Sequence, residues 1–138
     1  MLRLGIFVFY SKNGKVSESV KYYLSSLIPF FAKIIIVSNG CLSETARSEL
    51  EQFSNDVVFR ENTGYDVSAW KTGIKYVGYE KLASYDELVL LNDSVFAPIF
   101  PLAEMFEKME SRDDLDFWGP TGYPRRERTK WNQTPADI

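Results

Sequence analysis

Glu87-Leu88-Val89-Leu90-Leu91-Asn92-Asp93-Ser94 is the stretch whose reading decides the fold. Leu88 to Leu91 is an unbroken apolar run, the pattern of a strand buried on both faces of a sheet. It stops abruptly at Asn92, Asp93 and Ser94, three side chains that carry oxygen. In an open α/β sheet, ligands bind beyond the carboxyl ends of the strands. Asp93 is therefore placed where a carboxylate can hold a metal ion or a sugar hydroxyl. The competing reading is a turn, in which Asn-Asp-Ser caps the helix or loop that follows.

Outward from that strand, strands and helices alternate. Leu4 to Tyr10 is an apolar strand, closed by the turn residues Ser11 to Gly14. Val16, Val20, Tyr23, Leu24, Leu27 and Ile28 recur at helical spacing, and Pro29 stops the pattern. Lys33 to Val37 is a β-branched second strand ending in the turn signal Ser38-Asn39-Gly40. A short polar helix follows, with Ser43 as its N-cap and its end near Phe53. Val57 to Phe59 is a shorter third strand nearer an edge. The loop Glu61 to Asp66 contains Gly64, suited to a positive φ. Val67, Trp70, Ile74 and Val77 then mark a helix that ends near Gly78. Beyond the fourth strand, Leu102, Met105, Phe106 and Met109 share one helix face, and Phe117-Trp118-Gly119 is expected to begin a fifth strand. Such alternation predicts an α/β fold with a mainly parallel sheet, right-handed crossovers and helices on both faces. The ordered domain is expected to span residues 1–121, and residues 122–138, with their prolines and charges, read as an irregular tail.

Composition narrows the chemistry. The chain has 138 residues, of which 45% are hydrophobic, enough for one packed domain. A net charge of -3 argues against nucleic acid as a partner, although Arg125, Arg126, Arg128 and Lys130 cluster near the end. Cys41 is the only cysteine, so no internal disulfide forms, as befits a reducing compartment. Histidine is absent, which removes Ser-His-Asp triads, His-based metal sites and a His-activated thiol. Any metal would be a hard cation on oxygen ligands. The opening apolar run is too short for a membrane span and lacks a small-residue cleavage site, so a cytoplasmic domain is expected.

The candidate ligand residues gather at strand ends. Tyr10 and Ser11 follow the first strand and form one wall of the expected crevice. Lys12, Lys15 and the helix start near Gly14 are suited to phosphate, although each lysine also reads as ordinary solvated surface. The Gly-x-Gly-x-x-Gly and Walker patterns are missing, which disfavours a nicotinamide enzyme or a P-loop ATPase. Asp66 lies directly before a helix, and an N-cap is its structural alternative. Trp70 shares a face with Ile74 and Val77 and is expected in the core.

Three segments, taken in order, resemble the rhamnan synthesis protein F family of bacterial polysaccharide-assembly glycosyltransferases. They are Asn62-Thr63-Gly64-Tyr65-Asp66-Val67-Ser68-Ala69-Trp70-Lys71, then Leu91-Asn92-Asp93-Ser94-Val95-Phe96-Ala97-Pro98, then Asp116-Phe117-Trp118-Gly119. Phe7 to Ser11 and Ser38-Asn39 also fit, so that the resemblance covers about residues 4–121. It implies a GT-A-like, Rossmann-like fold, here an incomplete, N-terminal, donor-binding half. It further implies a nucleotide-sugar donor, expected to be dTDP-rhamnose, and a glycan or lipid-linked glycan acceptor. Peripheral association with the inner face of the membrane, through partner proteins, is compatible with that role. The implied donor-binding set is Tyr10, Ser11, Asn39, Asn62, Gly64, Asp66, Asn92 and Asp93, with Asp93 as ligand to Mg²⁺ or Mn²⁺. Such folds usually carry two aspartates one residue apart, whereas here Asn92 and Ser94 flank a single Asp93. No catalytic base is identified. A non-catalytic nucleotide- or glycan-binding module of the same fold is the alternative, and an unrelated flavodoxin-like domain is a third reading. Strand order separates the last from the first, because a GT-A-like sheet sets the first strand beside the fourth and brings Ser11 and Asp93 to one crevice.

Overall fold

The computed structural model describes residues 1–120. Four strands, β1 (Arg3–Phe9), β2 (Lys33–Asn39), β3 (Asp56–Arg60) and β4 (Glu87–Asn92), form one parallel sheet in the order β3-β2-β1-β4. The first strand lies beside the fourth, with Leu4 opposite Leu88 and Val8 opposite Asn92. A flavodoxin-like sheet runs 2-1-3-4-5, so that reading is excluded. The expected shorter third strand does lie at an edge.

Strand periodicity divides the core in two. Phe7, Phe9, Ile34 and Ile36 point to one face, where α1 (Glu18–Leu27) and α2 (Glu44–Glu51) cover them with Val20, Leu24, Leu27, Ala46 and Leu50. Leu4, Ile6, Val8, Ile35 and Val37 point to the other, under α3 (Tyr65–Val77) and the short α4 (Tyr79–Leu82). Ser17 and Ser43 cap α1 and α2, each accepting a backbone N–H with its hydroxyl, as Ser, Thr and Asp do at helix starts. On α3, Gly73 lies tight against the sheet, where a Cβ would lie 2.5 Å from Ile6 Cγ2. The last helix, α5 (Leu102–Glu110), packs Phe106 on Phe30, Phe31 and Trp118.

Three expectations are corrected. β4 is not buried on both faces: Leu88 and Leu90 are 39% and 44% exposed. As an edge strand it lies outside the cover of α3, which packs chiefly on β1 and β2. Val67 is exposed, because the buried stripe of α3 runs through Ala69 and Gly73, with Trp70, Ile74 and Val77 partly buried beside it. Phe117-Trp118-Gly119 is not a strand; Trp118 instead sets its ring edge-on to Phe106 and donates its indole N–H to Glu87. The expected tail at 122–138, with its four basic residues, lies outside the described residues.

Candidate functional site at the carboxyl ends of the strands

Residue parity along β4 sets the geometry. Asn92 pairs with Val8 and so faces α3, while Asp93 is the next residue and faces the other way. Asn92 accordingly reaches the first turn of α3 and donates from Nδ2 to Asp66 Oδ2 at 2.9 Å. Asp93 Oδ2 accepts the backbone N–H of Tyr10 at 3.1 Å, across the end of β1. Asp93 caps no helix, since the chain after β4 forms no helix until Leu102. Nor is Asp66 an N-cap: Gly64 holds that position, and Asp66 lies inside the first turn.

Burial pushes the Asp93 carboxyl above its ordinary value, the N–H donors of Tyr10 and of Asp93 itself pull it back, and the negative charge of Asp66 raises it further. A half-buried acid is destabilised as an anion, so a cation at Asp93 would be favourable. The carboxylate offers hard oxygen, the donor type that Mg²⁺ and Mn²⁺ prefer. No group of three or more His, Cys, Asp or Glu side chains suited to a metal occurs among the described residues. One or two protein carboxylates with phosphate oxygens completing the shell is a usual arrangement for Mg²⁺, and Asp93 is the acid at this strand end that could take part in one.

The remaining candidates divide. Tyr10 contributes its backbone to the Asp93 contact and leaves its ring half exposed. Ser11, expected in the same crevice, is turned to its own loop, donating to Asn13 and accepting the N–H of Lys15 at 3.0 Å. Asn39 is buried at the end of β2 and accepts a hydrogen bond from Arg60. Asn62 is exposed in the loop. Gly64 has φ +71, the left-handed value expected of it, and a Cβ there would come within 2.8 Å of the Ser68 Cβ. Trp70 packs against the α3-side core and donates its indole N–H to the Leu91 carbonyl at 2.9 Å. It thus holds α3 to the strand that carries Asp93.

Sequence reasoning passes over Arg60, which joins this region through Asn39, Thr63 and Ser68. The signal available was a basic residue at the last position of a strand, immediately before the Asn-x-Gly loop. A concavity of about 330 Å³, lined by Phe31, Phe53 and Asp56 among others, lies at the opposite, amino end of the sheet. Its Asp56 carboxylate is already engaged by Lys33 and Tyr76, so the strand-end carboxylates remain the better chemical candidate.

The family model for rhamnan synthesis protein F matches residues 34–134. The chain belongs to the rhamnan synthesis protein F family. The match takes in Asn39, the Asn62–Asp66 loop and the end of β4; β1, with Tyr10 and Ser11, precedes it. Among curated proteins, the chain is 28% identical over 113 residues to the uncharacterized protein y4gN of Sinorhizobium fredii, covering 81% of this chain and 29% of that one. It is 30% identical over 93 residues to the virulence protein VirA of Vibrio anguillarum, covering 67% of this chain and 28% of that one. This member of the rhamnan synthesis protein F family thus spans less than a third of the length of these relatives. No solved structure matches it. Among the described residues no helix is long and apolar enough to cross a membrane.

Proposed function

We propose that this chain is the donor-binding part of a GT-A-like glycosyltransferase of bacterial cell-surface polysaccharide (rhamnan) assembly, and that its donor is dTDP-rhamnose. The observation that carries the reading is half-buried Asp93 at the carboxyl end of a parallel sheet, beside an Asn92 that holds Asp66, in a chain of this family. Transfer breaks a sugar–phosphate bond and leaves negative charge on the departing diphosphate. A bound Mg²⁺ or Mn²⁺ would supply the opposing charge there. Asp93 is the residue that would hold it. Asn92 orients Asp66 by its amide, and the Tyr10 N–H fixes one oxygen of Asp93. The acceptor is a glycan or lipid-linked glycan, reached at the inner face of the membrane through partner proteins.

A second reading, donor binding without turnover, is favoured by one feature: Asn92 and Ser94 stand beside Asp93 where a second acid would strengthen a cation site. Thermal unfolding with millimolar dTDP-rhamnose, with and without Mg²⁺ or Mn²⁺, tests the donor site. Ligand present at about one hundred times its Kd stabilises a fold by about 2.7 kcal/mol, so a clear rise in Tm is expected with donor and cation together. No rise with any nucleotide sugar would sink both readings. A rise without release of dTDP in the presence of acceptor favours the second.

A further inference from the structure

Arg60 is the last residue of β3, and its guanidinium reaches three separate pieces of the fold. It donates to Oδ1 of buried Asn39 at the end of β2, to the Thr63 carbonyl at 2.7 Å, and to Ser68 Oγ at 3.1 Å in the first turns of α3. Its own carbonyl accepts the N–H of Gly40 at 2.8 Å. One side chain therefore ties the end of β2, the loop that follows β3 and the start of α3.

The backbone inside that triangle is strained. Gly64 has φ +71 and Tyr65, directly after it, has φ +52. A left-handed tyrosine is an outlier among L-residues. Its ring is 85% exposed, so packing of the side chain does not hold it there. Such a conformation persists only where the surrounding structure over-determines it. Two backbone bonds shape the turn, Thr63 N–H to the Glu61 carbonyl and Ser68 N–H to the Gly64 carbonyl, and the side-chain bonds that close around it are those of Arg60 to Thr63 and Ser68, on either side of the left-handed pair. Asp66 follows Tyr65 immediately, so the turn sets the direction in which its carboxylate meets Asn92.

We propose that Arg60 is a positioning residue, a planar fork that holds the Glu61–Tyr65 turn in its strained form and so aims Asp66 at Asn92. Arginine suits the task because its donors are fixed in one plane and spread over separate nitrogens, whereas a lysine ammonium presents its donors from a single atom on a flexible stem. The effect on donor affinity rests on the nucleotide-sugar reading above; the clamp itself does not.

Hydrogen–deuterium exchange on the full chain tests it, with Arg60→Gln, Arg60→Lys and Ser68→Ala. In Arg60→Gln, amides of residues 61–68 are expected to exchange roughly tenfold faster, with β1 and α1 unchanged. Arg60→Lys is expected not to restore protection. Ser68→Ala, which removes one contact, is expected to give a smaller rise in the same peptide, and it decides the matter should Arg60→Gln fail to fold. Donor affinity, read by titration with dTDP-rhamnose and Mg²⁺, is expected to fall about tenfold in Arg60→Gln. Unchanged exchange at 61–68 in both Arg60→Gln and Ser68→Ala overturns the proposal, as does full restoration by lysine. Faster exchange in a protein that no nucleotide sugar protects leaves the clamp standing and removes the donor reading instead.

Discussion

Arg3 and Lys33 open β1 and β2 at the amino end of the sheet, and both are neutralised. Arg3 is 2% exposed, lies between Glu87 and Glu110 and sits over the Phe106 ring. Lys33 pairs with Asp56 at 2.8 Å, and Tyr76 donates to the same carboxylate. At the carboxyl end the arrangement is reversed. Burial, with the charge of Asp66 adding to it, raises Asp93, and a tyrosine is held left-handed directly before Asp66. One end of the same four strands is satisfied, while the other carries unfavourable charge and strain. Violations of local consistency concentrate where a fold does its work, and among the described residues the one left-handed non-glycine lies at the carboxyl end.

The comparison breaks most easily at Arg3. Arg3→Met keeps the bulk but leaves Glu87 partly buried without its cation, and removing one partner of a buried pair costs about 3–5 kcal/mol. Chemical denaturation is expected to show a loss of that order. A change below 1 kcal/mol would mean that the amino end is not organised by this residue. Lys33→Met should cost less, about 0.5–1 kcal/mol, because the pair with Asp56 is partly exposed and screened. Its effect is expected to shrink further in high salt.

The readable parts of this chain are those whose signals are local. β1 and β2 are apolar runs in a central position, and their burial follows from composition alone. β4 has the same kind of run, yet Leu88 and Leu90 are exposed, because edge position is a property of strand order and leaves no mark in six residues. Gly64 was legible from its residue type, and the place of Asp93 from the rule about strand ends. The hydrogen bond between Asn92 and Asp66 was not, because it joins residues 26 apart through the parity of β4 and the position of α3. Arg60 was invisible for a related reason: a single arginine at a strand end has the look of solvated surface until its three acceptors are known. Trp118 was misread as the start of a strand because an aromatic beside a glycine fits both a strand and a packed loop.

The smallest expected effect is the sharpest, since its sign differs between the two ends. Asp93→Asn keeps the size and an acceptor for the Tyr10 N–H but removes the charge. The Asp93 carboxyl is raised above its ordinary 3.8 chiefly by burial. In the native state it therefore binds a proton more readily than in the unfolded chain. Stability then falls as pH rises from 3.8 through the native value, and the full penalty is present at neutral pH. Asp93→Asn is accordingly expected to raise Tm at pH 7, with the gain fading as pH is lowered and gone below 3.8. The same variant is expected to lose the stabilisation given by dTDP-rhamnose with Mg²⁺. Arg3→Met and Lys33→Met only weaken the fold, whereas Asp93→Asn would strengthen it while abolishing its response to ligand. A lower Tm for Asp93→Asn at pH 7 would show that the Asp93 anion is already compensated within the fold, and would remove the electrostatic reason to expect a cation beside it.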